Sequence, residues 1–206
     1  MASASRSGEL AAISARTGAF VAVVGPSGAG KDTIIDYARA AFDGDPRFVF
    51  VRRVVTRPSS ADAEDHDTLS EEQFLAADRQ GRFSHCWQAH GLHYALPRSI
   101  DDEIGQGAVA IANVSRGILP VLRSAYARFA IVHITASHAV LASRLAARGR
   151  ENADQIQRRL MRAAPNACDP DDAIMIDNSG KVARAGDQFV AVLTKMAAKA
   201  AISENI

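Results

Sequence analysis

The 206 residues are enough for one domain with a single buried core, and a composition of 48% hydrophobic and 23% charged residues is typical of a globular enzyme. A net charge of +1 excludes a field strong enough to attract nucleic acid or a membrane surface, and we expect neither as a partner. No apolar run approaches the ~20 residues of a membrane-spanning helix. The two cysteines, Cys86 and Cys168, lack the spacing of a metal motif, which favours a reducing cytoplasm.

Short apolar runs alternate with amphipathic stretches along the chain. Residues 1–17 lack the apolar segment of a secretory signal, so we expect a flexible lead-in followed by a single domain over 18–206. Near-continuous apolar runs predict strands buried on both faces, at 20–24, 48–51 with 54–55, 109–112, 131–134 and 173–176. Helical patterns occur at 31–42, 70–80, 116–127, 137–148, 152–163 and 182–201. The pairs Ser70 with Gln73 and Asn152 with Gln155 have the spacing of helix caps. The alternation predicts an α/β fold of the P-loop type, an open parallel sheet flanked by helices.

The segment GPSGAGK, residues 25–31, follows the first predicted strand and opens the first predicted helix. Its glycines allow successive N–H groups to point at phosphate oxygens, and the helix N-terminus and Lys31 add positive charge. A plain strand-to-helix connection is the alternative, but the complete GxxxxGK spacing favours a phosphate loop that binds ATP. Its predicted ATP-binding residues are Gly25, Pro26, Ser27, Gly28, Ala29, Gly30, Lys31, Asp32 and Thr33, with Lys31 also catalytic.

Asp32 departs from the general motif, which has Ser or Thr after the lysine to hold Mg²⁺. Thr33 cannot replace that hydroxyl, because one helical step turns a side chain by about 100°. A carboxylate here would repel a triphosphate unless a metal lay between them. We therefore predict that Asp32 contacts Mg²⁺, directly or through water. The alternative is an acid that only suits the first turn of the helix.

An arginine-rich segment at 144–163 predicts a lid over the site. Gly149 permits a break between two short helices, and Asn152 can cap the second. Planar guanidinium groups that close over a transferring phosphoryl group stabilise its charge. A solvated helix face is the alternative, which the phosphate loop in the same chain disfavours. The arginines are Arg144, Arg148, Arg158, Arg159 and Arg162.

Four motifs occur in one order: GPSGAGK, Thr56-Arg57-Pro58 followed by Glu64, HGLHY at 90–94, and RGxE with IxxRL across 148–160. Through this order of motifs the chain resembles the guanylate kinase-like family, from residue 20 to about residue 193. The resemblance implies a core parallel sheet, a small acceptor-binding insert at 57–96 and a lid.

The same resemblance implies roles for individual residues. Arg57, Glu64 and Tyr94 would line the acceptor site, and Arg148 and Arg159 would act on the transferring phosphoryl group.

The departures from this family concern its recognition of guanine, whose ring N–H and amine need acceptors such as carboxylates. The matching glutamate position is His85, and the strand expected to end in paired aspartates reads Ala112-Asn113-Val114-Ser115-Arg116. A site with His85, Asn113 and Arg116, and with His93 nearby, suits an acceptor that carries more phosphate. His66, His90 and His93 are equally well explained as ordinary surface or partly buried residues.

The chain also resembles the branch of the family formed by ribose 1,5-bisphosphate phosphokinases, through GKDT in the loop, Thr-Arg-Pro with Glu64-Asp65-His66, and Asn-Val-Ser-Arg at 113–116. The resemblance implies that ATP, with Mg²⁺, phosphorylates the 1-phosphate of that sugar to give 5-phosphoribosyl 1-diphosphate during phosphonate breakdown. A guanylate or other nucleoside-monophosphate kinase is the nearest alternative, and a non-catalytic binding module that holds partner proteins is a remote one. Asn178, after the last strand, is the candidate adenine contact, and the sequence leaves a homodimer open.

Overall fold

The computed structural model describes residues 18–56, 66–147 and 172–202, which form nine strands and six α-helices. The strands are β1 (Ala19–Val24), β2 (Phe48–Phe50), β3 (Arg53–Val55), β4 (His66–Thr68), β5 (Phe83–Ala89), β6 (Leu92–Pro97), β7 (Val109–Asn113), β8 (Phe129–Thr135) and β9 (Ala173–Asp177). The helices are α1 (Lys31–Ala41), α2 (Glu71–Arg79), α3 (Ser99–Gly105), α4 (Leu119–Ala125), α5 (His138–Ala147) and α6 (Val182–Ile202). A 3₁₀ turn at Arg116–Ile118 precedes α4.

A five-stranded parallel sheet, in the order β2-β7-β1-β8-β9, forms the centre of the fold. Both of its faces are covered. Val21 and Val23 of β1 lie in the cluster that includes α1, α5 and α6, while Phe20 and Val24 face α3 and α4. Burial on both faces explains why the strands are apolar without alternation, and it confirms the predicted open α/β sheet.

The second sheet has four strands in the order β4-β3-β6-β5 and contains the described part of the predicted insert. Its β5–β6 hairpin turns at His90 and Gly91, whose φ values of 53° and 73° are those of a two-residue I′ turn. Residues 57–65, in the first part of the predicted insert, lie outside the described residues.

The apolar run at 48–55 is divided between the two sheets, which the sequence did not predict. β2 pairs with β7, and the Val51 amide still donates to the Ile111 carbonyl at 2.9 Å. β3 then begins at Arg53 and pairs with β4 and β6. The crossing from one sheet to the other is therefore confined to the immediate neighbourhood of Arg52.

The cap predicted at Ser70 is confirmed. The Ser70 hydroxyl accepts from the Gln73 amide at 3.1 Å, and the Gln73 side chain accepts from the Ser70 amide at 2.9 Å. This capping box satisfies two N–H groups at the start of α2. The second predicted cap, at Asn152, lies outside the described residues. Within the described part of the chain, no helix has the length and apolarity needed to cross a bilayer.

Gly186 marks a close approach between α6 and α1. A Cβ at this position would lie 2.3 Å from Cδ1 of Tyr37, whose hydroxyl donates to Asp187 at 2.7 Å. We expect Gly186→Ala to lower the free energy of unfolding by about 1–3 kcal/mol, because the ring must move to admit the methyl group. Denaturant titration measures this. Gly105→Ala, which adds a methyl group to open space in α3, is the control and should leave stability equal or up to about 1 kcal/mol higher. Equal losses in both variants would contradict the packing argument.

Candidate active site

The phosphate loop joins β1 to α1 at the carboxyl edge of the large sheet. Gly25 has φ 150°, and a Cβ there would lie 2.1 Å from the Ile134 carbonyl oxygen, so the loop can pass β8 this closely only with glycine. The Lys31 ammonium donates to the carbonyls of Gly25 and Pro26 at 3.0 and 3.1 Å. The side chain thus folds back over its own loop, where a phosphate would bind.

Two side chains support the loop from beneath. Asn178 is 1% exposed and donates from Nδ2 to the Ala29 carbonyl at 2.8 Å, while its buried Oδ1 has no partner among the described residues. The Arg144 guanidinium donates to the carbonyls of Ala29 and Asn178 at 3.3 and 3.0 Å. Asn178 therefore orders the loop. Its adenine contact stays a prediction, and the buried amide offers little surface for one. Arg144, predicted in the lid, lies in α5 and contacts the loop.

Asp32 and Asn113 meet at the edge between α1 and β7. Asn113 Nδ2 donates to Asp32 Oδ1 at 2.8 Å. P-loop enzymes hold Mg²⁺ with a loop hydroxyl and a Walker-B aspartate. Here the loop position carries the carboxylate and its partner on the neighbouring strand carries a neutral amide. The sequence assigned Asn113 to the acceptor, and the structure pairs it with the predicted metal contact.

This pair fits a magnesium ion. No cluster of three or more His, Cys, Asp or Glu side chains suited to a metal occurs among the described residues. Mg²⁺ does not require one, because it retains several waters and takes one or two carboxylates together with the phosphates of its substrate. The oxygen donors of Asp32 and Asn113 are of the kind that it prefers.

Trp87 connects the small sheet to the end of β7. Its Nε1 donates to the Ser115 hydroxyl at 2.9 Å, and its ring stacks on Tyr94 at a centroid distance of 5.5 Å. The Arg53 guanidinium lies 6.0 Å from the Tyr94 ring centroid. Tyr94 and Arg53 are each 6% exposed, so both are buried where the small sheet meets the end of β7. The acceptor role predicted for Tyr94 stays a prediction.

His85 lies on the same side of β5 as Trp87. Its Nδ1 is 3.0 Å from the Ser84 hydroxyl and 3.5 Å from that of Tyr126, which in turn donates to Asp101 at 2.9 Å. Through Tyr126 and Asp101, these contacts hold His85 against helices α3 and α4. Whether it also meets an acceptor stays a prediction. His93 lies 3.5 Å from Glu71 and packs near Phe74, within the small sheet and α2.

Two buried basic residues near the site were not singled out from the sequence. Arg53 lines a cavity together with Asp32 and Asn113. His133, on β8, is 9% exposed, and burial together with Arg116 and Lys31 lowers its pKa below the usual value. His133 stands inside an otherwise apolar strand and Arg53 begins one, and a basic residue in such a run is the signal that could have identified both.

Comparisons with known proteins agree with this geometry. A family model described as an AAA domain matches residues 21–163. A ribose 1,5-bisphosphate phosphokinase of Brucella melitensis is 52% identical over 182 residues, covering 88% of this chain and 95% of the relative. One from Chelativorans is 45% identical, covering 89% of this chain and 88% of the relative. The chain belongs to the ribose 1,5-bisphosphate phosphokinase family.

The fold of this chain is similar to that of a guanylate kinase. The guanylate kinase of Anaplasma phagocytophilum superposes with a TM-score of 0.60 at 14% identity, covering 86% of this chain and 85% of that one. Likeness at this identity concerns the fold alone. The residues predicted from the resemblance at Arg57, Glu64, Arg148 and Arg159 lie outside the described residues, and their roles stay predictions.

Proposed function

We propose that this chain transfers the γ-phosphoryl group of ATP to the 1-phosphate of ribose 1,5-bisphosphate, giving 5-phosphoribosyl 1-diphosphate. Family membership supports the proposal, since relatives with this activity in their names match nearly the full chain. Phosphonate breakdown is the setting that the family resemblance implies.

The observation that carries the proposal is the phosphate loop, over which the Lys31 ammonium folds at 3.0 and 3.1 Å from the carbonyls of Gly25 and Pro26. Lys31 and Arg116 also act together to lower the pKa of His133, which lies beside Gly25. The positions at which guanylate kinases read their base with carboxylates hold His85 and Val114-Ser115 instead. This arrangement favours a densely phosphorylated acceptor over a purine with exposed donors.

The reaction needs no general base, because the attacking oxygen belongs to an already ionised phosphate. The work of the protein is to position both phosphates and to stabilise charge. Lys31 would orient the transferring group and Arg116 the acceptor phosphate. Asp32, held by Asn113, would hold Mg²⁺, which when bound neutralises charge on the phosphates of ATP. The predicted action of Arg148 and Arg159 on the transferring group belongs to the same proposal.

The test compares acceptors under identical ATP and Mg²⁺. We expect kcat/KM for ribose 1,5-bisphosphate to exceed that for GMP by about thirtyfold to more than ten-thousandfold. The reason is that two unpaired guanine donors would cost roughly 2–6 kcal/mol together. The product with ribose 1,5-bisphosphate is identified as 5-phosphoribosyl 1-diphosphate by mass spectrometry.

Arg116→Ala sharpens this test. It should damage turnover of the bisphosphate and leave ATP binding nearly unchanged, whereas Arg79→Ala, at the exposed end of α2, should change neither. GMP turnover equal to or better than that of the bisphosphate would establish a guanylate kinase. Absence of transfer to either acceptor or to AMP would favour the non-catalytic binding module.

A further inference from the structure

His133 lies at the carboxyl edge of the large sheet, outside every role described so far. It pairs in register with Val24, the last residue before the phosphate loop, and with Met175 on the other side. A Cβ on Gly25 would be 3.5 Å from its Cδ2 atom. The imidazole therefore lies against the first residue of the loop that is expected to hold phosphate.

His133 is 9% exposed, and its side chain makes no hydrogen bond among the described residues. Its ring nitrogens are not among the fully enclosed polar atoms without a partner, so they keep some accessible surface. By contrast, the side chain of Asn113 donates to Asp32, and that of Asn178 donates to Ala29. The imidazole of His133 is therefore available to a ligand that binds at the loop.

The charges around His133 identify the kind of ligand. The groups that act on it are Arg116, from the turn after β7, and Lys31, from the start of α1, and both are cations. Its strand neighbours Val24 and Met175 and the loop residue Gly25 carry no charge. Two cations that act on one imidazole favour an anion with several oxygens as the ligand.

We propose that His133 is a phosphate-binding residue, whose imidazole donates a hydrogen bond to an oxygen of a phosphoryl group held between Lys31 and Arg116. This inference rests on the kinase function proposed above. The phosphoryl group can come from the acceptor or from ATP, and both supply the same oxygens.

A consequence for protonation follows. In the ligand-free protein, burial and the two cations keep the pKa of His133 below its usual value and so disfavour the charged ring. A bound phosphate offsets both cations and accepts from the ring, which raises that pKa. Ligand binding therefore takes up a proton, and in the wild type binding should strengthen as the pH falls from 8 toward 6, relative to a variant that cannot titrate.

The experiment follows the ring by NMR in ¹⁵N-histidine-labelled protein, with the His133 signals assigned by their absence in His133→Gln. Each pH titration is run without ligand, with a non-hydrolysable ATP analogue and Mg²⁺, and with ribose 1,5-bisphosphate. We expect the apparent pKa of His133 to rise by about one unit or more in the arm that supplies the phosphoryl group. The arm that responds identifies the source.

Binding measurements complete the test. His133→Phe should weaken binding of the responding ligand about 10- to 100-fold. His133→Gln, which keeps a donor, should retain most of the affinity at pH 8 but lose the extra tightening at pH 6. Phosphate itself titrates near pH 6, and comparison with His133→Gln removes that shared effect. His138→Gln, at the exposed start of α5, is the control and should match the wild type.

Ligands that bind without moving the His133 signal, together with equal pH slopes in the wild type and His133→Gln, would overturn the inference. It can also be separated from the proposed function. A ring that responds to the ATP analogue in a protein that does not turn over ribose 1,5-bisphosphate would support His133 as a phosphate-binding residue and reject the proposed acceptor.

Discussion

Lys31→Ala is expected to lower kcat by about 10²–10³-fold, the loss typical when one charged donor to the transferring group is removed. The structure supports this because the ammonium lies over its own loop, bound to the carbonyls of Gly25 and Pro26 at 3.0 and 3.1 Å. An incoming phosphate would meet a cation already in place. Single-turnover kinetics with saturating ATP measure the chemical step directly.

The melting temperature of Lys31→Ala distinguishes a loss of catalysis from a loss of folded protein. The variant loses two hydrogen bonds to loop carbonyls, each with a net contribution of about 1 kcal/mol, so we expect a small fall in melting temperature. Lys195→Ala, on the exposed side of α6, is the matched control and should retain full activity. Near-normal turnover in Lys31→Ala would reject the assignment of the phosphate loop.

Exchanging the members of the Asp32–Asn113 pair is the second large-effect experiment. Asp32→Asn should raise the Mg²⁺ concentration needed for half-maximal activity about tenfold or more, because the pair then lacks a carboxylate. Asn113→Asp places two carboxylates within hydrogen-bonding distance, so one is expected to hold a proton. The double variant Asp32→Asn with Asn113→Asp restores one carboxylate and one amide, and we expect it to recover metal affinity beyond the sum of the single effects.

Mn²⁺ binding in the presence of a non-hydrolysable ATP analogue, measured by electron paramagnetic resonance, reports on the metal without relying on turnover. Asp43→Asn, exposed beyond the end of α1, is the control. A double variant no better than Asp32→Asn would show that the position of the carboxylate matters and that the pair does not act as a unit. An unchanged metal requirement in Asp32→Asn would leave that residue as a first-turn acid only.

Most of the large sheet could be predicted, because its strands are short apolar runs and its helices are amphipathic. The phosphate loop could be predicted because spacing alone specifies it. The division of the run at 48–55 could not be predicted. Two consecutive short strands that belong to different sheets have the same apolar composition as one longer strand. β4 and α3 are short, and β5 is only partly buried along its length, so these segments have little periodicity to detect.

The sequence singles out candidate site residues where a motif fixes their spacing, and it misses contacts that only the fold creates. Lys31 and Asp32 follow from the loop spacing. The contact between Asp32 and Asn113 joins positions 81 residues apart, and no local pattern contains it. His133 is similar, because its neighbours Arg116 and Lys31 come from other elements. Asn178 was noticed for its place after the last strand, but its buried donation to Ala29 depends on tertiary packing.

The passage of the chain between its two sheets limits how the small sheet can move relative to the large one. Phe50 still belongs to β2, Val51 is hydrogen-bonded to Ile111, and Arg53 already belongs to β3. Three residues extend to at most ~11 Å, so the small sheet has no slack tether at this point. A translation of the small sheet away from β2 is therefore limited at this connection, and the buried Arg53 stays close to the large sheet. The same sheet is joined again through Arg98, the one residue between β6 and α3, so two short connections hold it.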